Sequence, residues 1–75
     1  MKIYKDIDGD SGVSAYEYGK DYIVVQFSTG AKYRYTYGSA EPENIEHMKK
    51  LADNGEGLNS FINTTVKKRY AQKER

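Results

Sequence analysis

The chain contains no cysteine and no tryptophan, and it has a single proline. Without cysteine there is no disulfide, no thiol nucleophile and no thiolate metal site. Large aliphatic side chains are also scarce. Leu, Ile, Val and Phe supply 13 of 75 residues, short of the roughly 20% below which disorder becomes a concern. No apolar run approaches the ~20 residues of a membrane span. The opening Met1-Lys2-Ile3-Tyr4-Lys5 has no apolar h-region, so no signal peptide is expected. These features make a cytoplasmic protein the default expectation, with no membrane partner.

Folding is nonetheless expected. The net charge is only +1, so self-repulsion is weak. Eight tyrosines supply the missing bulk, each offering roughly 150–250 Å² for burial. A chain of 75 residues makes one domain with a small core. Charge is unevenly spread. Acids outnumber lysines over residues 1–21, whereas Lys67, Lys68, Arg69, Lys73 and Arg75 face only Glu74 over residues 57–75. This asymmetry favours an anionic partner modestly.

The run Tyr33-Arg34-Tyr35-Thr36-Tyr37 alternates aromatic and polar residues, which is strand periodicity. Upstream, Val13–Tyr18 and Tyr22–Phe27 read as strands, with Gly19-Lys20 as a two-residue turn. Residues 3–7 read as a short edge strand or a frayed terminus. Parity fixes the second hairpin. A two-residue loop at Thr29-Gly30 would put the tyrosines opposite the face of Ile23, Val25 and Phe27. A three-residue loop, Ser28-Thr29-Gly30, pairs Val25 with Tyr33 and Ile23 with Tyr35. All the bulk then lies on one face, with Lys32, Arg34 and Thr36 on the other. The three-residue loop is expected, with Gly30 left-handed in a G1 bulge.

Pro42 marks a helix start, Ile45, Met48, Leu51 and Ala52 follow helical spacing, and Asn54-Gly55 is a stop. Glu46 with Lys50, and Lys49 with Asp53, are expected to pair. A second helix is expected from Gly57-Leu58, with Leu58, Phe61, Ile62, Thr65, Val66, Arg69 and Tyr70 as its apolar stripe. The expected fold is therefore α+β. An antiparallel three-stranded β-meander, with or without a short extra N-terminal strand, packs on two C-terminal helices.

In order and spacing the chain resembles the KTSC domain, a short module found at the C-terminus of some lysyl-tRNA synthetases and as a stand-alone bacterial protein. The matching residues are Ser11 and Tyr16, Val25-Gln26-Phe27, Gly30, Tyr33-Arg34-Tyr35, Gly55 with Asn59, and Tyr70. They cover roughly residues 11–70. Ser39-Ala40-Glu41-Pro42 departs from the Val-Pro that many members carry there. The resemblance implies the fold and a suggested link to RNA, and no established activity.

Residues 6–17 match the acidic spacing of a calcium loop, with Asp6, Asp8, Asp10 and Glu17 as candidate ligands. Ser11 stands where the tight turn needs glycine, and no helix fits on either side. An acidic turn leading into a strand is therefore expected, with weak calcium binding as the alternative. His47, the single histidine, lies off the apolar helix face, and no paired nucleophile accompanies it. An enzyme is therefore not expected, nor is a cofactor.

The tyrosines either fill the core, stack on bases or form an interface. Lys32, Arg34, Lys67, Lys68 and Arg69 are candidate phosphate contacts and Tyr37 a candidate base-stacking ring, against the plain alternative of solubilising charge. The expected function is a small binding module for RNA or a nucleic-acid–protein assembly. The alternative is a module for homodimer or protein contact.

A calcium titration tests the acidic turn. Amide shifts in residues 6–17 are expected to stay nearly unchanged at millimolar calcium, whereas saturable shifts at micromolar calcium would establish the cation site.

Overall fold

The computed structural model describes residues 1–5 and 12–74. Among the described residues five antiparallel strands form one sheet in sequence order: β1 (Lys2–Ile3), β2 (Val13–Tyr18), β3 (Tyr22–Phe27), β4 (Lys32–Thr36) and β5 (Gln72–Lys73). Between β4 and β5 run α1 (Tyr37–Ala40), α2 (Pro42–Asn54), α3 (Leu58–Phe61) and a π-helical turn over Ile62–Val66. The helices cover one sheet face, so the fold is α+β. Among the described residues no helix is long and apolar enough to cross a membrane.

The β3–β4 hairpin adopts the three-residue loop. Ile23 pairs with Tyr35 and Val25 with Tyr33. Phe27 N–H donates to the Ala31 carbonyl at 2.7 Å, and Gly30 sits at φ 96°, where a Cβ would be strained. In β2 a bulge at Ser14 keeps Val13 and Tyr16 on the same face despite their odd spacing. The core forms between that face and the helices. Tyr4, Val13, Tyr16, Ile23, Val25 and Tyr35 meet Ala40, Ile45, Met48, Ala52, Leu58, Ile62 and Val66. Tyr35 is only 1% exposed.

The sheet has more strands than the three-stranded meander expected from sequence. Lys2–Ile3 supplies the optional N-terminal strand. The fifth strand arises because the last helix stops early. Thr64, Thr65 and Val66 form a β-branched run with poor helix propensity. Thr64 Oγ1 also donates back to the Ser60 carbonyl at 2.9 Å. The backbone widens into the π-helical turn, and Arg69 N–H closes on the Val66 carbonyl at 2.8 Å. The expected stripe therefore ends at Val66. Arg69 and Tyr70 leave the helix, and residues 71–74 return along the edge of β4.

Two smaller expectations also shift. The first hairpin turn is Lys20-Asp21, not Gly19-Lys20, because Tyr18 pairs with Ile23 and Gly19 N–H donates to the Tyr22 carbonyl at 3.1 Å. The Tyr22 ring lies where a Cβ on Gly19 would stand. A short helix also precedes the one expected from Pro42: Gly38, Ser39 and Ala40 belong to α1, which Thr36 and Ser39 close with a reciprocal capping box. Glu41 joins α1 to α2 at φ 77°, an uncommon conformation for a residue with a Cβ. Pro42, the first residue of α2, already excludes a helical conformation at Glu41.

Replacing Tyr35 with Ala empties a fully buried ring site. A loss of about 3–5 kcal/mol in urea-derived stability is the expected outcome. A loss below about 1 kcal/mol would contradict the placement of Tyr35 opposite Ile23.

Candidate nucleic-acid interface

At the turn end of β3 and β4 the core opens into a groove of about 340 Å³. Phe27, Tyr33 and Tyr70 line it with their rings, and Ser28, Thr29, Asn63 and Lys67 line it with polar groups. Register explains this position. Tyr33 shares the inner face with Tyr35 but lies beyond the reach of α2, so it is only half-buried. Its ring packs edge-on against Phe27 at 5.8 Å and at 4.7 Å from Tyr70. Tyr70, 40% exposed, also meets Tyr35 edge-on at 6.5 Å. The early end of the last helix is what swings Tyr70 onto this cluster. Lys67 and Lys68 come directly after the π-helical turn and are exposed.

The other expected contact residues are spread over the molecule. Lys32 and Arg34 lie on the sheet face opposite the helices, half-buried. Arg34 Nε donates to Glu74 at 2.6 Å, and its guanidinium lies 4.6 Å from the Tyr22 ring centre. The Glu74 carboxylate raises the Arg34 pKa further. Arg69 pairs with Glu41 at 2.9 Å, with both side chains exposed, an arrangement of small energetic value. Tyr37 stands at the opposite end of β4 from the groove. Its hydroxyl donates to Glu46 at 2.6 Å, and the Lys49 ammonium lies 5.9 Å from its ring centre. Thus, of the expected cations, Lys67 lines the aromatic groove, and Lys68 is exposed next to it in the chain. Phe27, Tyr33, Tyr70 and Asn63 were not singled out as contacts from sequence. Tyr33 and Tyr35 have the same parity, and only the length of the covering helices distinguishes them.

Of the candidate calcium ligands, Asp6, Asp8 and Asp10 lie outside the described residues. Glu17 is exposed and approaches the Met1 amino group at 4.0 Å. Among the described residues no three His, Asp or Glu side chains converge as a metal site would need. His47 is exposed, and its ring packs at 4.7 Å from Phe61.

A second polar cluster lies at the far end of the sheet. Asp53 does not pair with Lys49. Its two carboxylate oxygens accept hydrogen bonds from Tyr16 at 2.7 Å and Tyr18 at 2.6 Å. Glu46 pairs with Lys49 at 2.8 Å rather than with Lys50, because Lys49 is drawn inward to the Lys20 carbonyl and the rings of Tyr18 and Tyr37. Burial, reinforced by Asp53, pushes the Tyr16 pKa up to about 12. The hydrogen bonds from Tyr18 and Tyr16 hold Asp53 below the usual carboxylate range. Each group here is satisfied by its neighbours, so the cluster fastens α2 to β2 and leaves no spare base or nucleophile.

No protein-family model, curated protein or solved structure matches the chain.

The Tyr16–Asp53 contact makes stability depend on pH at both extremes. Asp53 is lowered on folding, so its contribution is present above its ordinary pKa of 3.8 and is lost as pH falls through the depressed value. Tyr16 is raised, so its contribution is full below pH 10.0 and is lost as pH rises toward about 12. Buried Tyr35, also raised to about 12, steepens the alkaline limb. Urea midpoints measured across pH are expected to fall at both ends. Asp53→Asn should lower the neutral plateau and flatten the acid limb. An unchanged acid limb in that variant would show that Asp53 contributes nothing to it.

Proposed function

We propose that this chain is a small RNA-binding module of the cytoplasm, without enzymatic activity of its own, and that it is a KTSC-like domain. The observation that carries the reading is the Phe27–Tyr33–Tyr70 groove with Lys67 on its rim and the exposed Lys68 next in the chain. An unpaired base offers a flat apolar face to such rings, and stacking contributes roughly 1–3 kcal/mol per base. Lys67 and Lys68 are suited to the flanking phosphates. Asn63, Ser28 and Thr29 line the same groove and offer hydrogen-bonding groups to a base edge. Single-stranded RNA is favoured over duplex because a groove accepts a splayed base and not a stacked pair. In this reading the stacking role belongs to Tyr33 and Tyr70 rather than to Tyr37.

With a net charge of +1 and two lysines assigned to phosphates, affinity is modest. A Kd of about a micromolar or weaker at physiological salt suits so few phosphate contacts. A homodimer or protein module is the competing reading. Ile3, 82% exposed on the edge strand β1, favours it.

Fluorescence anisotropy with a labelled single-stranded oligoribonucleotide separates the two. The intact protein is expected to bind with a falling affinity as salt rises. Lys67→Glu with Lys68→Glu should weaken binding across sequences and flatten the salt slope by about one unit per lost contact. Tyr33→Ala should reduce affinity about tenfold or more, as loss of one stacked base implies. Salt-insensitive self-association, altered by substitution of Ile3 and accompanied by no RNA binding, would decide for the interaction module.

A further inference from the structure

Residues 71–74 lie along the open edge of β4 and are held there by few contacts. Ala71 N–H donates to the Arg34 carbonyl and Glu74 N–H to the Lys32 carbonyl, both at 2.7 Å. Between them Gln72 and Lys73 form β5, and both side chains are exposed. Glu74 adds a side-chain anchor, accepting from Arg34 Nε at 2.6 Å. The pair is partly open to water, at 33% exposure for Arg34 and 22% for Glu74. Besides these, only the two-residue ladder of Gln72 and Lys73 with β4, a Lys73 ammonium 5.8 Å from the Tyr33 ring centre and one solvent-reached ion pair hold the segment, which places it in the easily opened part of the fold.

Arg34 is well prepared to receive an anion. The Tyr22 ring at 4.6 Å fixes the guanidinium plane, so little side-chain freedom remains to be lost on binding. Glu74 Oε2 accepts from the Arg34 Nε–H, and a phosphodiester oxygen offers an acceptor of the same single charge to that donor. Position adds a second reason. Tyr33 faces the groove and Arg34 the opposite sheet face, and the edge between these adjacent residues is what β5 covers. With the segment lifted, ring and guanidinium border one continuous surface.

We infer that residues 71–74 form a strap closed by Glu74 on Arg34, and that a backbone phosphate of bound single-stranded RNA opens it by replacing the Glu74 carboxylate. The inference rests on the RNA reading for its ligand. The strap itself is a built-in competitor. It lowers the affinity of the groove for short or weakly charged ligands and yields to a phosphate held nearby by base stacking.

Glu74→Gln keeps the side-chain size and removes the charge. It is expected to bind a labelled oligouridylate about threefold to tenfold tighter than the native chain, with a salt slope steeper by about one unit. The gain should vanish when Arg34→Gln is added. Nitrogen-15 NMR gives a readout that does not need RNA. Inorganic tripolyphosphate should move the Arg34 Nε–H resonance and the Ala71 and Glu74 amides saturably, at lower concentration in Glu74→Gln. RNA binding that is equal in the native chain and Glu74→Gln, with equal salt slopes, would overturn the strap and leave the RNA reading standing. If RNA binds neither protein but tripolyphosphate engages Arg34 more readily in Glu74→Gln, the strap stands and the RNA reading falls. Tripolyphosphate that moves neither protein's Arg34 resonance would overturn the strap.

Discussion

Everything in this small domain depends on the register of the β3–β4 hairpin. A single residue of slip would exchange the inner and outer faces of β4. Tyr33 and Tyr35 would then face water, and Lys32 and Arg34 would be buried against Ile45 and Met48 without partners. The three-residue loop ending in left-handed Gly30 prevents that slip. With few aliphatic side chains available, Tyr35 is the largest fully buried residue, so the core could not form around another pairing. The helices depend on the same register. Ile45, Met48 and Leu58 have an apolar surface to cover only because the tyrosines lie beneath them.

Part of the charge in the folded chain is consumed internally. Arg34, Lys49 and Arg69 each have a carboxylate partner, and Asp53 is held by two phenols. The solvent-reached ion pairs contribute little to stability, on the order of 0–1 kcal/mol each. Under the proposed RNA reading, Lys67 on the rim of the aromatic groove is left exposed and without a carboxylate partner among the described residues, so the reading rests on a local arrangement and not on the overall charge of the protein. The Tyr16–Tyr18–Asp53 cluster acts at the other end. It fixes α2 to β2, and the groove near Phe27, Tyr33 and Tyr70 opens away from it.

Much of this was legible in the residues. Period-two alternation located β2, β3 and β4, and parity chose the hairpin loop, because a strand with one buried face tolerates only one register. Pro42 and Gly55 bounded α2 because backbone conformation at those positions is a local property. The side-chain pairs were less legible. Helical spacing put Lys49 within reach of Asp53. The choice between that acid and Glu46 was made by Tyr16 and Tyr18, which reach Asp53 from another strand.

The sequence by itself determined the fold class, the core faces of β3 and β4 and the first long helix. These arise from short-range periodicity, steric preference and the need to bury scarce apolar bulk. Only the tertiary structure decided where the last helix ends and where the chain runs beyond it. Ala71-Gln72-Lys73-Glu74 carries no strand signal and would continue a helix on propensity alone. It pairs with β4 because an open sheet edge offers unsatisfied carbonyls at Lys32 and Arg34 and a cation for Glu74. The groove has the same origin. Tyr33 and Tyr35 are indistinguishable in pattern, and their different exposure is set by how far α2 reaches over the sheet and by the turn that brings Tyr70 back.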